Sequence, residues 1–227
     1  YCDFTCSGAP WTCHTNAEPA VYWSFDGSDV TASDLGGYSG TLHGATNQSS
    51  TVPFSGFGSS LQSDNNDSGY MQINGNVPMS SGSTNHTFTI AFWGHNDNCS
   101  NNQIAILFTN GNYMADLYHE SSYRGDNTFA ASGTCSSYAN TWRHFVYVDD
   151  GSSLRAWIDG TEVAPSSYSY SAGSDPEINR LMSKPSFGTN GLGGYIDDLV
   201  IYYTALSTAE IERLYNQGIA GRPVRWQ

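Results

Sequence analysis

Lysine is nearly missing from this chain: Lys184 is the one lysine, and lysine plus arginine number 8 against 21 aspartates and glutamates. The formal net charge is −13. Gripping a nucleic-acid backbone or an anionic membrane surface needs clustered cations, so neither is expected as a partner. Long apolar runs are missing too, and none approaches the length that crosses a bilayer, so no membrane insertion is expected. No signal peptide opens the sequence, which reads as a mature chain or an excised fragment. There is no Cys-x-x-Cys-His, which excludes a c-type haem attachment site, and no Gly-x-Ser-x-Gly elbow to support a serine nucleophile.

What is present is the material of a β-domain. Glycine, serine, asparagine and threonine abound, and aromatic residues reach 14% of the 227 positions. A chain of this length can bury a large core as one β-sandwich. Phe88–Trp93, Phe145–Val148 and Leu154–Ile158 read as short strands, separated by turn signals such as Asp150-Gly151 and Asp159-Gly160. The acidic surface keeps such a domain soluble and also suits salty or calcium-rich water, where carboxylates are screened or occupied.

The stretch Gly194 to Tyr215, GYIDDLVIYYTALSTAEIERLY, is the richest in information. Ile196 and Leu199 to Tyr203 form a β-branched and aromatic run that predicts a strand. Asp197 and Asp198 sit inside it, where charge is costly unless something pairs with it. Ser207 then reads as a helix N-cap with Glu210 completing a capping box, and Ile211, Leu214 and Tyr215 follow at helical spacing. Gly218 is the expected C-terminal stop.

The organisation is read as a cysteine-rich strap over 1–19, one domain over 20–218 and an extended tail over 219–227. That tail is expected to pack back through Val224 and Trp226 or to lead into a further domain. Ser166–Ser174 reads as a loop. Five cysteines in a secreted β-domain imply disulfides. Cys99 and Cys135, each in a polar loop, are expected to pair. Cys2, Cys6 and Cys13 then leave an odd sulfur, and their spacing with His14 fits no common zinc module.

Taken together, these segments resemble the laminin-G-like branch of the concanavalin A-like lectin/glucanase superfamily. Val21 to Gly44 resembles its opening strand, turn and Gly-rich segment ending in Gly-Thr-Leu. Phe88–Trp93 resembles the strand that ends in Trp, Trp142–Gly160 its Trp-x-His strand and Asp-Gly hairpin, and the Asp-Asp strand its last strand. The resemblance runs over about residues 20–217 and implies a two-sheet antiparallel jelly-roll sandwich, all-β with one short C-terminal helix. It also implies a secreted or cell-surface location.

The same resemblance implies a calcium ion, because Asp26, Asp34 and Asp197 stand where this family places acidic residues. The first and last strands of such a sandwich lie close together. Calcium takes six to eight oxygens, which carboxylates and the carbonyls of the Leu35–Thr41 loop can supply. Successive strand residues alternate between faces, so one of Asp197 and Asp198 is expected at the ion, and Asp197 fits the family position.

A catalytic reading finds little support. Glucanases of this superfamily carry Glu-x-Asp-x-x-Glu, and none of the six glutamates here lies in that pattern. The motifs of polysaccharide lyases of this fold are incomplete as well. A non-catalytic module binding a glycan or cell-surface polymer is therefore expected. The alternative is an adhesive domain that packs against other domains of a larger surface protein. Sugar sites combine aromatic faces with carboxylates, amides and arginine. The candidates are His95 and Asp97 in the polar segment Gly94–Asn102, and Tyr118, Glu120, Tyr123 and Arg124 in Tyr113–Arg124. Trp23, Trp93, Trp142 and Trp157 are expected in the core, as is His144 with a satisfied ring.

Overall fold

The computed structural model describes residues 17–64, 69–79, 87–97, 104–108, 113–116, 122–124, 128–131, 139–169, 177–182 and 193–224. Every strand pair among them is antiparallel, and the strands form two sheets. The first sheet runs β13 (Thr161–Glu162), β12 (Leu154–Ile158), β11 (Arg143–Asp150), β6 (Thr87–Asn96), β16 (Gly194–Tyr202), β4 (Ser60–Ser63) and β3 (Thr46–Ser49), with β1 (Val21–Trp23) also on β16. The second runs β14 (Pro165–Ser169), β10 (Thr128–Ala131), β9 (Ser122–Arg124), β8 (Tyr113–Asp116), β7 (Ile104–Phe108), β15 (Glu177–Leu181), β5 (Tyr70–Pro78) and β2 (Ser39–His43). This is the two-sheet jelly-roll sandwich that the family resemblance implies. No described helix is long and apolar enough to cross a membrane.

Alternation explains the packing. Phe88, Ile90 and Phe92 of β6 point between the sheets, together with Phe145 and Tyr147 of β11 and Ile196, Leu199 and Ile201 of β16. They meet Met71, Ile73 and Val77 of β5, Ile106 of β7 and Ile178 and Leu181 of β15. Each such side chain, fully buried, contributes roughly 1.5–3 kcal/mol.

A second apolar cluster covers the other face of the first sheet. Ala91, Val146, Val148, Trp157, Val200 and Tyr202 face outward there and are roofed by helix α1 (Thr208–Ile219) through Ile211 and Leu214, with Val224 of the tail beside them. Ser207 caps the helix as predicted, with the reciprocal Ser207 and Glu210 bonds both formed. The stop lies further on than the sequence suggested. Gly218 is inside the helix and buried; Ala220 is the C-cap, and Gly221 takes the left-handed conformation at φ 68°. Gly218 is there for space, since a Cβ on it would stand 2.4 Å from Cζ2 of Trp93.

Two further expectations change. Ser166–Ser169, read as loop, belongs to strand β14 on β10. Gly94–Asn96, expected as the start of a polar loop over Gly94–Asn102, belong to strand β6. Residues 1–16 of the strap expected over 1–19, Trp226, Cys99 and Cys135 lie outside the described residues.

Candidate functional site

Two places on the first sheet gather polar chemistry. The first is the Asp197–Asp198 step of β16. Ile196 and Leu199 both enter the inner core although they are three residues apart, and the register against β6 slips between Asp197 and Val200. That is a β-bulge, with Asp198 at φ 53°. It corrects the expectation of opposite faces. Asp197 stands opposite Trp93, while Asp198 reaches Tyr22 and Val224 of the outer cluster, so both carboxylates lie on the outer side of the sheet.

Both are buried, at 1% and 4% exposure. Asp198 Oδ1 accepts the hydroxyl of Tyr22, and its Oδ2 accepts the backbone N–H of Val224 at 2.7 Å. Burial pushes its pKa up to about 7, against the lowering effect of those two bonds. Asp197 Oδ1 accepts the N–H of Asp198 at 2.8 Å, while its Oδ2 is buried without a hydrogen-bond partner. Burial, then the charges of Asp198 and Asp26, hold the Asp197 carboxyl well above its usual range.

Asp26 and Asp34 are exposed and partly committed to the backbone. Asp26 Oδ1 accepts from Gly58 and Ser59 at 2.9 and 2.8 Å, and Asp34 Oδ2 accepts from Ser24 at 2.6 Å. The segment expected as the Leu35–Thr41 loop is loop only as far as Tyr38, because Ser39–Thr41 belong to β2, and it is tied down as well: Leu35 and Tyr38 carbonyls accept from Tyr22 and Ser33. Among the described residues no three His, Cys, Asp or Glu side chains stand together as the ligands of one ion. A cation held here would have to rest on Asp197 and Asp26 with backbone oxygens. The buried, unpartnered Oδ2 of Asp197, coupled to Asp26, fits such a cation, and Asp34 joins only through its field on Asp198.

The second place lies further along the same outer face. Helix α1 covers the sheet as far as Trp93, which packs on Phe54, Phe57, His144 and Tyr215. Two residues on, His95 begins a half-buried aromatic cluster. Its ring lies 5.4 Å from Trp142 and 5.4 Å from Tyr195, and those two rings are 6.0 Å apart. Asp97 Oδ1 is 3.1 Å from His95 Nδ1 and 43% exposed, and Gln62 Nε2 donates to the Tyr195 hydroxyl at 3.4 Å. Asn140, also exposed, is tied to the strand end by its N–H to the Asn96 carbonyl.

His95 and Asp97, both candidates from the sequence, stand beside each other, and Trp142, Tyr195 and Gln62, which gather with them, are not among the sequence candidates. Trp142 reads as core, yet it is only half-buried, whereas Trp23, Trp93 and Trp157 are fully buried. The pairing of Tyr195 with His95 and with Gln62 across β16 needed the register to be known. His144 is in the core as expected, but packed rather than satisfied: its Nδ1 has no hydrogen-bond partner, and burial lowers its pKa to about 3. Tyr123 and Arg124 lie on β9, in the other sheet from His95 and Asp97. Tyr118 and Glu120 fall outside the described residues.

No curated protein matches the sequence. Among solved structures, Domain 4 of AbnA, a GH43 extracellular arabinanase from Geobacillus stearothermophilus in complex with arabinotriose, matches with a TM-score of 0.59 and 15% identity over 86% of this chain and 97% of that one. A botulinum neurotoxin type C structure, described by the dependence of cell entry on two ganglioside molecules, gives 0.61 and 13% over 88% and 51%. The binding domain of Paraclostridial Mosquitocidal Protein 1 gives 0.52 and 16% over 81% and 48%. The chain therefore spans about half the length of these two toxin chains, and at such identities the likeness is one of fold. A family profile for the Concanavalin A-like lectin/glucanases superfamily matches residues 64–212, well over half the chain, and the chain belongs to that superfamily.

Proposed function

We propose that this domain is a non-catalytic carbohydrate-recognition module of a secreted or cell-surface protein. The observation that carries the reading is the half-buried His95–Trp142–Tyr195 aromatic cluster beside Asp97 and Gln62, beyond the part of the sheet that the described helix packs on. Aromatic faces with adjacent carboxylate and amide groups suit a sugar ring, whose C–H face stacks and whose hydroxyls need partners. The arabinotriose complex of the AbnA domain lends support, as does the ganglioside dependence of cell entry by the toxin, about half of whose chain is similar to this one.

The carboxylates argue the same way. Asp197 and Asp198 are too deeply buried to meet a polysaccharide, and Asp26 and Asp34 are engaged with the backbone. Acid and nucleophile of a glycosidase must both flank an exposed scissile bond. A structural calcium at Asp197 and Asp26, with Asp34 nearby, would neutralise the buried bulge and fix the first strand against the last. It would supply charge compensation and stiffness, and the ligand surface would remain the aromatic one.

A glycan array read alongside a reducing-end assay tests the proposal. Binding to at least one glycan without release of new ends is expected. Release of reducing ends or unsaturated products from any polysaccharide would overturn the non-catalytic reading. Absence of all binding would favour a domain that only packs against its neighbours.

A further inference from the structure

We propose that the His95–Trp142–Tyr195 surface selects uncharged sugars, with Trp142 as the stacking platform and Gln62 and Asp97 as the hydroxyl partners. This deepens the carbohydrate-recognition reading and rests on it.

The argument is one of charge. An acidic sugar bears a carboxylate or sulfate, and proteins hold such groups with arginine or lysine, most often through a two-pronged guanidinium contact. The described residues at this surface offer none. Arg143 precedes the strand partner of Trp93, but its Nε lies 2.5 Å from Asp159 Oδ2. His95 is the remaining candidate, and its Nδ1 faces Asp97 at 3.1 Å. Burial lowers the pKa of that imidazole, outweighing the opposing pull of Asp97, so near pH 7 it is a neutral hydrogen-bonding ring. Asp97, 43% exposed, puts a negative charge at the rim. The whole chain adds a field of the same sign, with a formal charge of −13. An anionic ligand would thus pay desolvation at the aromatic rings and meet repulsion at the edge. A neutral ring meets neither, and a carboxylate is a strong acceptor for its hydroxyls.

The other sheet sharpens the contrast. On β5 and β15 the guanidinium of Arg180 lies 4.8 Å over the Tyr70 ring, with His43 stacked on Tyr70 at 4.5 Å and Gln72 accepting from Arg180 Nε at 2.6 Å. That is aromatic and polar as well, but it carries a cation. The two faces therefore differ in the sign of ligand they suit.

The test is titration calorimetry of the full chain with neutral arabinotriose, cellotriose and mannotriose, and with acidic trigalacturonate and sialyllactose, at matched ionic strength. Wild type should bind at least one neutral trisaccharide and neither acidic one. Trp142→Ala should weaken that binding by about tenfold or more, as loss of a central aromatic anchor does. Gln62→Ala, which changes a smaller group in the same surface, should weaken it several-fold with the melting temperature nearly unchanged. Acidic ligands binding more tightly than neutral ones, with loss in Trp142→Ala, would overturn the charge selection while leaving carbohydrate recognition at this surface intact. Neutral binding untouched by both substitutions would overturn the surface. No binding by any of the five would overturn both.

Discussion

Gly218 of α1 and Trp93 of β6 are in contact at a distance that excludes any side chain on the glycine: a Cβ there would lie 2.4 Å from Trp93 Cζ2 and 2.9 Å from Cε2. This contact sets how closely the helix seats on the sheet. Gly218→Ala gains about 1 kcal/mol of helix propensity but must displace a rigid, buried indole, and overpacking of that kind costs about 1–3 kcal/mol. A net fall in urea midpoint is expected, and Trp93→Phe in the same background should recover part of it. A Gly218→Ala protein more stable than wild type would contradict the packing argument.

Tyr22 and Asp198, 176 residues apart, join the first strand to the last through a buried hydroxyl–carboxylate bond. Tyr22→Phe removes the donor and leaves a buried acceptor short of a partner, a change that costs about 1–3 kcal/mol. Chemical denaturation of the variant measures this, and an unchanged midpoint would show that the bond contributes nothing net.

His144 predicts a pH dependence. Its pKa falls from 6.5 to about 3 on burial, so the unfolded chain binds a proton that the folded one refuses. Its contribution is complete above pH 6.5 and is lost as pH drops toward 3, with a slope of up to about 1.4 kcal/mol per unit. Asp198 works in the opposite sense, because its folded pKa of about 7 exceeds the usual carboxylate value, and stability from that group declines as pH rises toward 7. The comparison of His144→Phe with wild type isolates the first term. The variant should lose less stability than wild type between pH 6.5 and 4.

Calcium, if it binds the native state at Asp197 and Asp26, raises stability with the logarithm of its free concentration. Chelation should then lower the melting temperature of wild type and leave Asp197→Asn unmoved. Equal melting curves with and without chelator in the wild type would remove the ion from the account.

The sequence was most legible where structure is local. Asp159-Gly160 turns with both residues at positive φ, 52° and 74°, and Ser207 with Glu210 closes its capping box, because both signals are complete within four residues. The opening motif from Val21 lies upstream of the residues matched by the family profile, yet β1 and β2 take their places in the two sheets. Illegibility began where partners are distant in sequence. Asp197-Asp198 reads as ordinary alternation until the register against β6 reveals the bulge. Gly218 reads as a stop until Trp93 is found beneath it. Trp142 reads as core because it precedes an apolar strand, whereas it stands with His95 and Tyr195 beyond the helix and is only half-buried. Composition cannot distinguish a tryptophan under a helix from one beside it.

The most direct test of the central claim follows the indole N–H resonances of the six tryptophans in an isotope-labelled chain as a bound oligosaccharide is titrated in. Trp142→Phe identifies the relevant signal. The account predicts that the Trp142 indole shifts with ligand while those of the buried Trp23 and Trp157 stay in place. A saturating titration that leaves the Trp142 indole unmoved, with shifts confined to β5 and β15, would contradict it.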